Sequence, residues 1–325
     1  MIIRPGAIGD VIVTLPAIRA IRTHYFNAQI EIMGYPSYLE IIRERFYANK
    51  VSRFDQAGIA ALFVKQTQMP ASLSGLFDSI DLIVSFALGN DQNFRENLKA
   101  AGARKVICHD SFPVENSGTH MVDHFLKLSD SLGISRADNI PKIFLKEEDV
   151  RLGNNFLEKR IGNLGKLLVA LHPGSGSWQK NWPVDRFAAL IHWLRDEMDV
   201  NIIIVSGPAD RENVKKLKML VQTDYILADR LPLPTLAAIL QQCHLFIGND
   251  SGISHLAAAM GIKTVAIFGS TDPRLWAPRG RQVKILYRES LCSPCLPETR
   301  KNCFSQRCLD TVKVEDVIHE IKRYF

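Results

Sequence analysis

Three stretches of the chain bring glycine, hydroxyl and charged side chains together at spacings that could do chemistry. In the first, Arg4-Pro5-Gly6-Ala7-Ile8-Gly9-Asp10, Gly6 and Gly9 let the backbone turn tightly and approach a ligand, and a carboxylate follows at the mouth of a helix. Asp10 can serve there as a general base, or it can merely cap the helix, since aspartate is a favoured cap. The glycines do not spell G-x-G-x-x-G and no acidic residue is clearly placed at the end of the second strand, so the fingerprint of a nicotinamide site is missing. The second stretch runs from His172 to Pro183 as HPGSGSWQKNWP. Its small residues, Ser175 among them, expose amides and hydroxyls suited to phosphate oxygens, and Lys180 adds a mobile cation. The bland alternative is a helix opened by Trp182-Pro183, with Lys180 solvated at the surface. The third, Gly248-Asn249-Asp250-Ser251-Gly252-Ile253-Ser254-His255, precedes the small-residue helix LAAAMG. A D-S-G-x-S turn at a helix N-terminus is an anion cradle, with the amides of Ser251 to His255 and the helix dipole aimed at a phosphate. Without a ligand it is simply a well-capped turn.

Strands and helices that alternate along the chain must position these residues. Residues 1–4 and 29–33 read as strands around a helix marked by Val11, Leu15, Ile18 and Ile21, with a kink expected at Pro16. Apolar runs at 81–86 and 104–108 continue the pattern, and 120–132 reads as a helix ending before Gly133. After a charged helix near 147–161 and the loop GNLGK, the alternation restarts with strands at 167–172, 201–205, 244–248 and 263–268. These runs are apolar almost throughout, as strands covered on both faces should be. The last segment carries Val314, Val317, Ile318 and Ile321 at helical spacing. The expected fold is α/β: two parallel-sheet domains with a ligand cleft at the carboxyl ends of their strands.

Composition narrows the class. With 325 residues, 46% of them hydrophobic, the chain can bury two domain cores, and no disordered or repetitive tract appears. Forty Lys and Arg against 34 Asp and Glu give +6, which suits an anionic substrate or membrane surface but is too diffuse for a duplex-binding protein. No stretch of about 18 apolar residues offers a membrane span, and Arg4 and Asp10 interrupt any signal-peptide core, so a cytoplasmic location is expected. Four of the six cysteines fall late, as Cys292-x2-Cys295-x7-Cys303-x4-Cys308. That spacing partly fits a tetrathiolate metal site, but free thiols or disulfides are the favoured reading.

Taken together, R-P-G-A-I-G-D-V-x-x-T-L-P-A at 4–17, H-P-G-(x)-W-x-K-x-W-P at 172–183, I-G-N-D-S-G-x-S-H-L-A-A-A at 247–259 and F-G-S-T-D-P at 268–273 resemble glycosyltransferase family 9, the ADP-heptose:lipopolysaccharide heptosyltransferases. Family members usually carry a few more residues ahead of the first motif, so a short opening strand is expected. The resemblance implies a GT-B fold. Residues 1–163 would form an acceptor-binding Rossmann-like domain, 164–310 a nucleotide-sugar-binding one, and 311–325 a terminal helix packing back on the first. Asp10 matches the proposed general base, Lys180 the lysine that neutralises the donor phosphates, and Asp250 an aspartate near the donor sugar. Ser251, Gly252, Ile253, Ser254 and His255 match the diphosphate turn. His120 matches a family histidine at a helix start, for which a cap or core role is the alternative. The implied reaction is inverting, metal-independent heptose transfer from ADP-heptose to an inner-core sugar of lipopolysaccharide. No D-x-D pair stands in the chain to hold a metal. The implied partners are an ADP-sugar and a lipid-anchored oligosaccharide, with no cofactor and no nucleic acid. The protein would be a monomer working peripherally at the inner face of the cytoplasmic membrane. Another nucleotide sugar as donor, or a GT-B-shaped nucleotide-sugar epimerase, are the alternatives.

Overall fold

The computed structural model describes residues 1–325 except 57, 66–69, 72, 88–90, 115–116, 137, 162–164 and 296–301. The chain divides into two units, Met1–Asn139 and Ile140–Phe325. In the first, strands β1 (Ile2–Ile3), β2 (Glu31–Gly34), β3 (Lys50–Arg53), β4 (Ile83–Ser85) and β5 (Val106–Cys108) form a parallel sheet of order β3-β2-β1-β4-β5. The sheet is covered by α1 (Ile8–His24), α2 (Pro36–Leu39), α3 (Gln92–Ala100), α4 (Met121–Leu126) and α5 (Leu128–Leu132). Ile3, Met33, Phe77, Ile83, Phe94 and Leu98 close one core of this unit. The expected opening strand is as short as two residues, and α1 runs through Pro16 without ending there. The helix read over 120–132 is two, α4 and α5, and Gly133 terminates the second in the left-handed conformation at φ 67°.

The second unit begins with α6 (Glu147–Glu158). Its parallel sheet comprises β6 (Leu168–His172), β7 (Asn201–Ser206), β8 (Ile226–Asp229), β9 (Leu245–Asn249), β10 (Lys263–Ile267) and β11 (Val283–Leu286), in the order β11-β10-β9-β6-β7-β8. The helices are α7 (Val184–Met198), α8 (Arg211–Leu220), α9 (Leu233–Gln241), α10 (Gly252–Ala259), α11 (Pro273–Trp276), α12 (Arg307–Asp310) and α13 (Val314–Lys322). The buried side chains of β6, β7 and β9 pack with Trp182, Phe187 and Leu190. The indole Trp182 Nε1–H donates to Val312 O at 2.9 Å, giving a buried donor its partner.

Two boundaries differ from the sequence reading. The loop at 162–166, with the division expected between 163 and 164, falls largely outside the described residues. Contacts place the division earlier, because α6 lies on α9 so closely that a Cβ at Gly153 would sit 2.7 Å from that of Ala238. The terminal helix α13, expected on the first domain, buries Val317 and Ile321 in the core of the second unit beside α7 and β11. An amphipathic helix settles where its apolar stripe finds a matching face, and that face is here its own unit's sheet layer.

Candidate functional site

In the first unit, the turn between β1 and α1 sets Asp10. Gly6 takes φ +148°, and a Cβ there would meet Asp10 Cβ at 2.7 Å and Oδ2 at 2.9 Å, so glycine is required. Gly9 is the second residue of α1, so the positive-φ step of the turn falls at Gly6. Asp10 is the third helical residue rather than the N-cap, which is Ala7, and its Oδ2 accepts the Ala7 amide at 2.9 Å. Its Oδ1 faces Arg4 Nη2 at 3.5 Å, with the carboxylate side chain one-third exposed. Arg4 is itself buried, 4.8 Å from the Phe125 ring centre, and its Nε donates to Thr14 Oγ1 at 2.8 Å. Burial pulls the Arg4 guanidinium down to about 10, against the opposing field of Asp10. Asp10 therefore caps its helix and still presents a carboxylate to solvent on a cationic support. His120 is the N-cap of α4, its Nδ1 accepting the Val122 amide at 3.1 Å. This is the capping role, buried at 8% exposure.

In the second unit, the structure brings the second and third motifs together. Parallel neighbours β6 and β9 end side by side, so the loop after His172 meets the turn after Asn249. Asn249 joins them, accepting the Trp182 amide at 2.9 Å and donating to Gly174 O at 3.2 Å. Lys180, in a 3-10 turn over Trp178–Lys180, places Nζ 2.8 Å from Asp250 Oδ2, with side chains 22% and 8% exposed. Ser251 is the N-cap of α10, its Oγ accepting the Ser254 amide at 3.4 Å, and Ser254 Oγ donates to Asn249 O at 2.5 Å. The amides of Gly252 and Ile253 occupy the first two helical positions, where no intrahelical acceptor exists. His255 is buried in the same turn. Ser175 is buried and used within its own loop, donating at 2.7 Å to Asn181 Oδ1 and accepting the Ser177 amide at 3.2 Å.

Sequence reasoning passed over Asp210 and gave His172 no role. His172 sits at the end of β6 between Asp210 Oδ2 at 3.0 Å from Nε2 and Ser251 Oγ at 3.1 Å from Nδ1, all three buried. The signal available was a histidine ending an otherwise apolar strand, two residues before a glycine.

None of the six cysteines is joined in a disulfide. Burial, then the neighbouring Cys295, raises the Cys308 thiol to about 11, whereas amides of Ser305 and Gln306 lower Cys303. Among the described residues, no group of three or more His, Cys, Asp or Glu side chains is arranged to hold a metal ion, and no helix is long and apolar enough to cross a membrane.

The sequence model of glycosyltransferase family 9 (heptosyltransferase) matches residues 84–304. Lipooligosaccharide heptosyltransferase 2 of Campylobacter jejuni serotype O:6 is 26% identical, over 98% of this chain and 96% of the relative. Among solved structures, a family 9 glycosyltransferase of Veillonella parvula superposes with TM-score 0.80 at 19% identity, over 99% of this chain and 95% of that one. The ADP-heptose lps heptosyltransferase II of Escherichia coli gives TM-score 0.75 at 16% identity, over 99% and 97%. The two parallel sheets thus belong to the GT-B class that the motifs implied.

Proposed function

The chain belongs to glycosyltransferase family 9, and from that premise we propose that it transfers heptose from ADP-heptose to a sugar hydroxyl in the inner core of lipopolysaccharide, inverting the anomeric carbon without a metal. The observation that carries this reading is the anion turn of the second unit: Lys180 lies at the α10 N-terminus, where the Gly252 and Ile253 amides supply donors for phosphate oxygens. Lys180 has three N–H donors, so it can hold Asp250 and a phosphate oxygen together. Asp10 takes the proton from the acceptor hydroxyl as that oxygen bonds to the anomeric carbon. The bond from that carbon to the diphosphate breaks, and its electron pair leaves on ADP, where Lys180 and the helix N-terminus stabilise the added charge. Asp250 stands beside Lys180 to meet the donor sugar, and the four late cysteines take no part in the step.

The location that accompanies this reading is the inner face of the cytoplasmic membrane, with the protein a peripheral monomer. The excess of basic residues, among them exposed Lys215, Lys216 and Lys218 on α8, supports association with an anionic bilayer. The reading is tested by product release and mass-detected transfer with ADP-, UDP- and GDP-sugars and a heptose-deficient lipopolysaccharide acceptor. Transfer from ADP-heptose is expected, and a preference for a pyrimidine nucleotide sugar would overturn it.

A further inference from the structure

The second unit holds a buried polar chain that the transfer step does not use. It crosses three neighbouring strand ends. His172 ends β6, Asp210 closes the 3-10 turn Pro208–Asp210 after β7, and Ser251 follows β9. Their exposures are 3%, 4% and 8%, so each is paired inside the fold. Asp210 Oδ2 accepts both the Gly207 amide at 2.6 Å and His172 Nε2 at 3.0 Å. Gly174 leaves room for this carboxylate, since a Cβ there would lie 1.7 Å from Asp210 Oδ1.

A carboxylate only accepts, so the Nε2 of His172 carries a proton, and on a ring that holds that one proton Nδ1 is the acceptor. Its partner is Ser251 Oγ at 3.1 Å, nearer than the alternative acceptor for that hydroxyl, Ser254 Oγ at 3.4 Å. Ser254 has already committed its own proton to Asn249 O. With its hydrogen fixed on His172, Ser251 turns lone pairs to the Ser254 amide and holds the first turn of α10. Gly252 and Ile253, the two amides offered to a diphosphate, are held by the same turn.

We propose that His172 and Asp210 are positioning residues for the anion turn: Asp210 fixes the tautomer of His172, which orients the Ser251 hydroxyl and so sets the α10 N-terminus for a nucleoside diphosphate. The proposal rests on the diphosphate reading of that turn.

The test is a double-mutant cycle on nucleoside-diphosphate affinity by calorimetry, with ADP, UDP and GDP as probes, using His172→Gln and Ser251→Ala. Glutamine can keep an N–H toward Asp210 while losing the contact to Ser251. Acting through Ser251, His172→Gln weakens binding about tenfold when Ser251 is present and less than about twofold in the Ser251→Ala background. Equal losses in both backgrounds would mark His172 as merely structural and overturn the proposal. Nitrogen-15 resonances of the wild-type imidazoles, with His172 assigned, give a readout that needs no variant to fold. A protonated Nε2 with bare Nδ1 is expected, and a proton on Nδ1 overturns the proposal. Tighter binding of UDP than ADP removes the ADP-sugar reading but leaves the cycle readable on UDP, whereas binding of none of the three removes both.

Discussion

Replacing Lys180 by alanine does two things at once, and the structure separates them. The ammonium lies 2.8 Å from the Asp250 carboxylate, which is only 8% exposed. Losing one charge-assisted contact to a phosphate costs about 1.5–3 kcal/mol, or about 10- to 150-fold in affinity. The change also uncovers Asp250 beside the incoming anion, and two unit charges about 4 Å apart near a protein surface interact by about 4 kcal/mol before screening. The two effects add in sign, so Lys180→Ala should weaken ADP binding by about 100-fold or more. Lys180→Ala with Asp250→Asn removes the exposed charge and should recover about tenfold. ADP is the right ligand because it lacks the sugar that Asp250 is proposed to meet. Calorimetry at fixed ionic strength, with melting temperatures on the same preparations, provides both readouts. A single variant within about threefold of wild type would show that Lys180 does not hold the phosphate, and a double variant no tighter than the single would show that it does not shield Asp250.

Three further outcomes follow from the geometry. Gly174→Ala drives a methyl into Asp210, whose carboxylate then loses buried partners, so the second unit should lose about 3 kcal/mol or more of stability, and an unchanged denaturant midpoint would contradict the contact. His109 and His124 both have pKa values below the usual 6.5, chiefly because burial disfavours the imidazolium. The unfolded chain therefore takes up these protons first, so stability is complete above pH 6.5 and falls as the pH drops through the lower folded values. His124→Gln should flatten that acid limb in melting curves, and a slope identical to wild type would show that the pair contributes nothing. Exhaustive chelation should leave the transfer rate unchanged, because Lys180 and the α10 amides are proposed to stabilise the leaving diphosphate; loss of turnover restored by a divalent ion would refute this.

Much of this was legible in the chain because buried parallel strands advertise themselves as apolar runs. β6, β7, β9 and β10 fall within a residue of their sequence limits, and all are interior strands of their sheet. The strands that escaped, β3 (KVSR), β8 (ILAD) and β11 (VKIL), all lie at sheet edges, where one side of the ladder faces away from the core and polar residues are tolerated. The fate of α6 and α13 was not legible because an apolar stripe says that a helix packs, not on which layer. The site motifs were readable as local turns, but the Lys180–Asp250 pair and the His172–Asp210 contact join residues 70 and 38 positions apart. Only the sheet order, which sets β6 between β9 and β7, brings them together.

Asp10 is proposed to be the base of the sugar transfer. Asparagine is nearly isosteric, can still accept the Ala7 amide as Asp10 does at 2.9 Å, and keeps the start of α1 intact. The most direct measurement is kcat for ADP-heptose transfer to the heptose-deficient acceptor by Asp10→Asn, with ADP affinity and melting temperature taken on the same protein. General-base catalysis contributes about 10²–10⁴ in rate, so kcat should fall at least about 100-fold while affinity and melting temperature stay near wild type. A near-wild-type kcat would show that Asp10 only caps its helix and that the base lies elsewhere.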